Sequence, residues 1–228
     1  MYRSLLFLHW KQIRWALLLM VMGSFALPLM AVSGLGTPPG LDVASLEAYR
    51  FVSGAELWLP LFPMLALLVG VTLALSAWNW DHQLNHVYAL SLPMTRWEYT
   101  LQKLLAGLTL ALLPAAGLWL GAHLAALSIS LPPGLNAYPN ELAARFFFAI
   151  LLSYALLFAM AAGTIRTTGI VIGAVFAFLF LGSIANDALA EHVDYFTRVH
   201  VVQEFVEWLF DTPGPFEVFT GTWSLIDV

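Results

Sequence analysis

Residues 57–80 read LWLPLFPMLALLVGVTLALSAWNW and contain no charged side chain. A helix needs roughly 20 predominantly apolar residues to cross about 30 Å of hydrocarbon. The apolar residues run continuously instead of alternating with polar ones, which excludes the strands of a transmembrane β-barrel. The segment therefore predicts a membrane-spanning α-helix.

Similar runs recur along the 228 residues, which are 61% hydrophobic and 10% charged. A soluble domain has about 45–50% apolar and about 25% charged residues, so an ordinary soluble enzyme is excluded. The sequence predicts an all-α integral membrane protein, a bundle of five transmembrane helices in a single domain over residues 1–228. The five spans are predicted at about 15–34, 57–79, 104–130, 146–164 and 168–186.

The segments outside this bundle of residues 15–186 have patterns of their own. Residues 1–14 mix apolar and aromatic side chains with three basic ones, which predicts a short interfacial helix. Residues 187–228 form a tail whose longest charge-free run is too short to span a membrane. Apolar residues recur at helical spacing over 196–210, which predicts an amphipathic helix on the outer membrane surface.

The distribution of charge orients the bundle. One side of the predicted membrane carries six basic and two acidic residues, and the other carries three basic and twelve acidic residues. The excess of Lys and Arg places the first side in the cytoplasm. We expect a cytoplasmic N-terminus and an extracytoplasmic tail. The small residues Ala31, Val32 and Ser33 resemble a signal-peptide cleavage site, but the long apolar run and the 14 residues before it favour a retained span.

Several kinds of chemistry are excluded by missing residues. The chain has no cysteine, so disulfides and thiolate metal sites are excluded. Its only lysines, Lys11 and Lys103, do not follow a glycine, so it has no phosphate-binding P-loop. The net charge of −5 would repel nucleic acid. We expect a chain without enzymatic activity of its own that binds no cofactor or metal.

Histidines supply the remaining candidate polar sites. His123 lies deep in the third predicted span. We favour a neutral side chain that is hydrogen-bonded across helices over a role as a ligand or proton carrier. His82 and His86 are four residues apart and share a helix face with Asp81 near by. They leave open a membrane subunit that holds haem or a metal, although such pairs also arise by chance at helix ends.

The loop between the second and third spans, residues 81–103, reads DHQLNHVYALSLPMTRWEYTLQK. We expect a turn at Pro93 and an N-cap at Thr95, with Glu98 at the third helical position as in a capping box. The helix that begins at Arg96 would run through Lys103 into the third span. The loop is therefore predicted to be a rigid elbow at the membrane surface, able to transmit force from a partner.

This loop resembles the corresponding loop of the permease subunits of type-2 ABC exporters, in the right position relative to both spans. The matching residues are Asp81, Leu90, Ser91, Leu92, Pro93, Met94, Thr95, Arg96 and Lys103. The resemblance covers roughly residues 1–190 and implies a bacterial-type cytoplasmic (inner) membrane protein. Family members usually have six spans, and this sequence departs from that pattern because no sixth span precedes Val228.

The resemblance implies a mechanism and a set of partners. In the family this loop is a coupling helix that docks on a separate cytosolic ATPase, which binds the ATP and Mg²⁺. A second permease, its own copy or a paralogue, and the lipid bilayer would be the other partners. The coupling residues implied are Asp81, Leu92, Pro93, Met94, Thr95, Arg96, Glu98 and Lys103.

Small residues in the spans are candidates for close helix packing. Gly117 and Gly121 have the small-xxx-small spacing, as do Gly169 and Gly173, and Gly107 is a further candidate. They would pack either between two permeases or within one subunit. A different function also stays open, that of a non-transporting scaffold or anchor that uses the acidic tail to hold a larger complex.

Overall fold

The computed structural model describes residues 2–33, 58–83, 95–129, 131, 135–162, 170, 173, 216–220 and 222–227, apart from the side chains of Trp80, His82 and Asp227. The elements in order are α1 (Tyr2–Ser33), α2 (Leu61–Gln83), α3 (Arg96–Ser128), β1 (Asn136–Ala137), α4 (Pro139–Ala161), α5 (Glu217–Thr220) and β2 (Ile226–Asp227). The chain divides into two compact units, Met1–Ala159 with Thr222–Val228, and Met160–Gly221. The first unit holds nearly all of the described elements.

In the described part of the chain, four helices, α1 to α4, are long and apolar enough to cross a membrane. They confirm the prediction of an apolar, mainly helical chain of the membrane-embedded kind, and each overlaps one of the first four predicted spans. The fifth predicted span, 168–186, lies outside the described residues except for Ile170 and Gly173. The amphipathic helix predicted at 196–210 also lies outside them. The count of five spans and the single domain stay predictions.

Helix α1 is continuous from Tyr2 to Ser33, so the predicted break between an interfacial helix and the first span is absent. A single buried stripe explains this, because Leu5, His9, Ile13 and Leu17 follow one another at four-residue spacing. The stripe packs mainly on α3, and Tyr2 Oη lies 2.6 Å from Thr109 Oγ1. A helix of 32 residues is about 48 Å long, so it exceeds the hydrocarbon thickness.

Two helices begin earlier than the predicted spans. The spans were predicted from charge-free runs, and the first turns of these helices carry charged side chains. Helix α3 begins at Arg96, where the elbow was predicted to enter the helix, and not at the span boundary of 104. Helix α4 begins at Pro139 and not at 146. Proline suits a first helical position since its missing N–H would have no partner there. Charged side chains mark the apolar limit of a span, but they do not end its helix.

Small residues let the helices of the first unit approach closely. A Cβ atom at Gly121 would collide with the carbonyl oxygen of Phe25 on α1, and a Cβ at Gly117 would lie 3.0 Å from Ser24 Oγ. Gly117 and Gly121 therefore pack closely within one chain, between α1 and α3, which is one of the two alternatives that the sequence leaves open.

Helix α4 packs against α2 and α3 in the same manner. A Cβ at Gly107 on α3 would collide with the hydroxyl of Tyr154, and a Cβ at Gly70 on α2 would collide with Ser153 Oγ. The hydroxyl of Tyr154 also lies 3.3 Å from the carbonyl oxygens of Lys103 and Leu104. These contacts place the C-terminal half of α4 beside the N-terminal part of α3.

Residues 222–227 return to the opposite end of the bundle. Strands β1 and β2 form a two-residue antiparallel pair, Asn136 with Asp227 and Ala137 with Ile226. The backbone N–H of Tyr138 donates to the carbonyl oxygen of Leu225 at 2.8 Å. The ring of Trp223 stacks on Phe62 with 6.4 Å between centroids. Residues 222–227 therefore lie beside the N-termini of α2 and α4.

Candidate functional site

A buried ion pair joins the end of α2 to the start of α3. Asp81 Oδ2 lies 2.7 Å from Lys103 Nζ, and the two residues are only 1% and 6% exposed. The hydroxyl of Tyr99 donates to both carboxylate oxygens of Asp81, at 3.0 and 3.2 Å. A buried charge is tolerated when it is paired and hydrogen-bonded, and this carboxylate meets both conditions.

Aromatic rings enclose the ammonium group of Lys103. It lies 4.5 Å from the ring centroid of Trp78 and 5.0 Å from that of Tyr99, within the range of a cation–π interaction. The indole N–H of Trp78 donates to the carbonyl oxygen of Phe158 at 3.1 Å. The ion pair is thereby linked to α4 as well as to α2 and α3, and three helices meet at this end of the bundle.

The buried pair gives Asp81 and Lys103 a structural role at this end of the bundle. Both belong to the set of coupling residues that the resemblance implies, and their burial leaves them no surface for direct contact with another protein. Tyr99 and Lys103 are four residues apart, so they share the face of α3 that meets α2. The sequence held a signal for this arrangement, since opposite charges flank a loop between two consecutive helices. Tyr99 and Trp78 were missed because neither carries a charge.

The N-terminus of α3 confirms the predicted capping box. Thr95 Oγ1 accepts a hydrogen bond from the backbone N–H of Glu98 at 3.3 Å, and Glu98 Oε2 accepts one from the backbone N–H of Thr95 at 3.1 Å. Each side chain thus binds an amide that the helix cannot satisfy internally. Residues 95–98 have exposed side chains, and the first turn of α3 is fixed without covering them.

The exposed first turn carries mixed chemistry. Arg96 and Glu98 bear opposite charges, and Trp97 between them is 72% exposed. The next residue, Tyr99, is buried. The exposed turn therefore adjoins the tyrosine that is hydrogen-bonded to Asp81. Of the other predicted coupling residues, Leu92, Pro93 and Met94 lie outside the described residues, as do Leu90 and Ser91 of the string that carries the resemblance.

His123 is not part of this site. It lies 20 positions after Lys103 on the same helix, or about 30 Å away. Its Nδ1 lies 2.9 Å from the carbonyl oxygen of Trp119, one turn earlier in α3. This bond lies within α3, so a hydrogen bond from His123 to another helix stays a prediction. Trp119 makes a cross-helix bond, because its indole N–H donates to Asn140 Oδ1 on α4 at 2.9 Å.

The remaining predicted positions lie largely beyond the described atoms. His86 and Gly169 are outside the described residues, as is the side chain of His82. No described atom lies within 4 Å of a Cβ built at Gly173. Within the described parts of the chain, His, Asp and Glu side chains do not form a group of three that could hold a metal ion.

Comparison of the chain with protein-family models, with curated proteins and with solved structures finds no match.

Proposed function

We propose that this chain is the membrane-spanning permease subunit of an ABC-type exporter. ATP hydrolysis by a separate cytosolic ATPase would drive movement of substrate across the membrane. The observation that carries the proposal is the construction of the elbow at the start of α3. An exposed turn, Thr95–Glu98, is capped at its N-terminus and is followed, five positions after Glu98, by the Lys103 of the buried ion pair.

The exposed turn has the composition of a docking surface. Trp and Arg are the residue types most enriched among the side chains that dominate binding energy at protein interfaces. Trp97 and Arg96 provide both types, side by side and exposed. Glu98 adds a charge that can select a partner through electrostatic complementarity. The contact with an ATPase is therefore proposed for residues 95–98, where Arg96 and Glu98 provide the polar groups, since Asp81 and Lys103 are buried.

The buried pair gives the docking turn a mechanical connection. A push on Arg96 acts on a helix that continues without interruption to Ser128, about 50 Å away. The same push reaches α2 through Asp81 and Lys103, and α4 through Trp78 and Phe158. Movement at the surface would thus be shared by three helices, as coupling requires.

The charges support a cytoplasmic position for this elbow. Arg3, Lys11 and Arg14 lie at the start of α1, and His9 there lines the same cavity as Lys103. Basic residues from both helix starts therefore collect at one end of the bundle, which favours the cytoplasmic side. The N-terminus would be cytoplasmic too, in the inner membrane of a bacterial-type cell.

The positions of two described segments support an odd number of membrane crossings between the end of α4 and residues 222–227. Helix α4 ends at the elbow end, which is the end of the bundle where α2 ends and α3 begins. Residues 222–227 pair with β1 at the other end. A fifth span over 168–186 would return the chain and place the tail outside the cell. We propose that a second permease and two ATPases complete the assembly, with ATP and Mg²⁺ held in the ATPase subunits.

The proposal is tested by purifying the protein in mild detergent and identifying co-purifying chains by mass spectrometry. We expect a stoichiometric ATPase with a Walker motif, and we expect Arg96→Glu to lose it. Lys11→Glu is the matched control, since it reverses an exposed charge on α1 at the same end. Retention of the ATPase by Arg96→Glu would contradict the docking assignment. A large membrane or outer-surface partner without any ATPase would replace the proposal with the scaffold function.

A further inference from the structure

A cavity of about 240 Å³ lies at the elbow end among α1, α2 and α3. Its polar wall includes His9, Asp81, Tyr99 and Lys103, and its apolar wall includes Leu5 and Ala77. The polar groups thus lie on one part of a largely apolar surface. Small-molecule sites in proteins share this character, with an apolar lining and a few placed polar groups.

His9 is the unexplained group in this cavity. The residue is only 4% exposed, and its Nε2 atom has no hydrogen-bond partner among the residues that the structure describes. Buried polar atoms in native proteins nearly always have a partner, because an unmet one costs free energy. A molecule in the cavity would supply that partner. Lys103 offers further donors, since an ammonium group has three and Asp81 takes one.

The charges of the wall define the kind of molecule. Asp81 and Lys103 are paired, so they present no net charge together. The carboxylate would repel an anion and the ammonium group would repel a cation, and either ion would also lose its hydration. A neutral molecule with one hydrogen-bonding group avoids both costs. The apolar wall at Leu5 and Ala77 would accept its carbon body.

The volume limits the size of the molecule. An engineered apolar cavity of about 150 Å³ binds benzene, and each water takes up about 30 Å³ in the liquid. A cavity of about 240 Å³ has room for one aromatic ring with a polar substituent. Several waters would also fit in such a cavity, and water is therefore the competing occupant.

We propose that this cavity is a binding site for a small uncharged amphiphile of about the size of a phenol. Its polar group bonds to Nε2 of His9, and its apolar ring packs on Leu5 and Ala77. The inference does not depend on the permease proposal, because it rests on the cavity and His9 alone. Since the site shares Asp81 and Lys103 with the elbow, a bound molecule would stabilise the junction of α2 and α3.

The test uses three fluorinated probes of similar shape and different polarity. Binding of 4-fluorophenol, fluorobenzene and 4-fluorobenzoate to the full-length protein in lipid nanodiscs is measured by ¹⁹F NMR, with empty nanodiscs subtracted. We expect saturable binding of 4-fluorophenol, with about tenfold weaker binding of fluorobenzene, since one buried hydrogen bond is lost. Binding of the carboxylate should be weaker than that of 4-fluorophenol.

Variants connect the binding to the cavity. His9→Leu should weaken 4-fluorophenol binding about tenfold, whereas His9→Gln should retain much of it because an amide can replace the lost hydrogen bond. His123→Leu is the matched control and should leave binding unchanged. If His9→Leu does not fold, Ala77→Leu provides the test. The larger leucine side chain would fill the cavity and should abolish 4-fluorophenol binding.

Three results would overturn the proposal. Absence of saturable 4-fluorophenol binding would mean that water occupies the cavity. Equal binding of fluorobenzene would mean that the polar wall does not recognise the ligand. Binding that survives both His9→Leu and Ala77→Leu would place the probe elsewhere on the protein.

Discussion

Helix α3 meets its two neighbours in different ways. Against α1 the contact is one of shape, with Gly117 and Gly121 bringing the backbones together. Against α2 the contact is one of charge, with Lys103 paired to Asp81. Close packing of small residues is the usual means of joining helices in a membrane. A buried ion pair costs desolvation free energy that an apolar contact does not. The contact of α3 with α2 is therefore the more costly of the two to form.

The two contacts differ in how widely they are distributed. The α1–α3 contact extends from the hydrogen bond of Tyr2 with Thr109 to the close approach of Phe25 and Gly121, and it spans most of α1. The α2–α3 ion pair is a single point. A distributed contact holds two helices together, whereas a point contact fixes one end of a helix to another. The ion pair therefore fixes the end of α2 to the start of α3.

Breaking the ion pair should have the largest effect on stability. Lys103→Met leaves the Asp81 carboxylate buried without its cation, which should lower the free energy of unfolding by ~3–5 kcal/mol. The measurement is denaturant-induced unfolding in mixed micelles. Lys11→Met is the matched control, because Lys11 is the other lysine and is exposed.

A double substitution sharpens this prediction. Asp81→Leu combined with Lys103→Met removes both charges, and it should recover most of the stability lost by Lys103→Met alone. A double variant as unstable as the sum of the single ones would show that the two side chains act independently, against the structure.

Filling the glycine contact should have an intermediate effect. Gly121→Ala adds a methyl group where the Phe25 carbonyl lies, and overpacking of this kind costs about 1–3 kcal/mol. Gly23→Ala on α1 is the control, since no described atom lies within 4 Å of its Cβ. It should be neutral or stabilise the helix by up to about 1 kcal/mol. Equal effects of the two substitutions on the unfolding free energy would contradict the close packing.

Removing the helix cap should have the smallest effect on stability. Thr95→Ala deletes the hydrogen bond to the Glu98 amide, and loss of an N-cap costs about 1 kcal/mol. Glu98→Gln keeps an acceptor for the Thr95 amide and should change the unfolding free energy little. If Glu98→Gln proves as destabilising as Thr95→Ala, the charge of Glu98 matters more than its hydrogen bond.

The sequence predicts the apolar helices and the cap, and physical reasons explain both successes. A charge-free run such as 57–80 is long enough to identify a span by itself. The capping box depends on Thr95 and Glu98 alone, three positions apart. Both signals are local, so they do not require knowledge of which helices are neighbours.

The ion pair, by contrast, depends on tertiary structure. Asp81 and Lys103 are 22 positions apart, and only the antiparallel arrangement of α2 and α3 brings them together. The burial of His9 depends on tertiary structure too. The mixture of aromatic, apolar and basic residues over 1–14 predicts an interfacial helix, whereas burial of His9 requires the packing of α1 on α3.

The most direct test of the docking turn uses the absence of cysteine in the chain. A single cysteine is introduced as Trp97→Cys, or as Leu127→Cys at the other end of α3, where the side chain is 82% exposed. A cysteine-directed photo-crosslinker is attached in native membranes, and the crosslinked chains are identified by mass spectrometry. We expect an ATPase with a Walker motif to be crosslinked at position 97 and not at position 127. Crosslinks from position 97 to lipid alone, or to a protein without that motif, would contradict it.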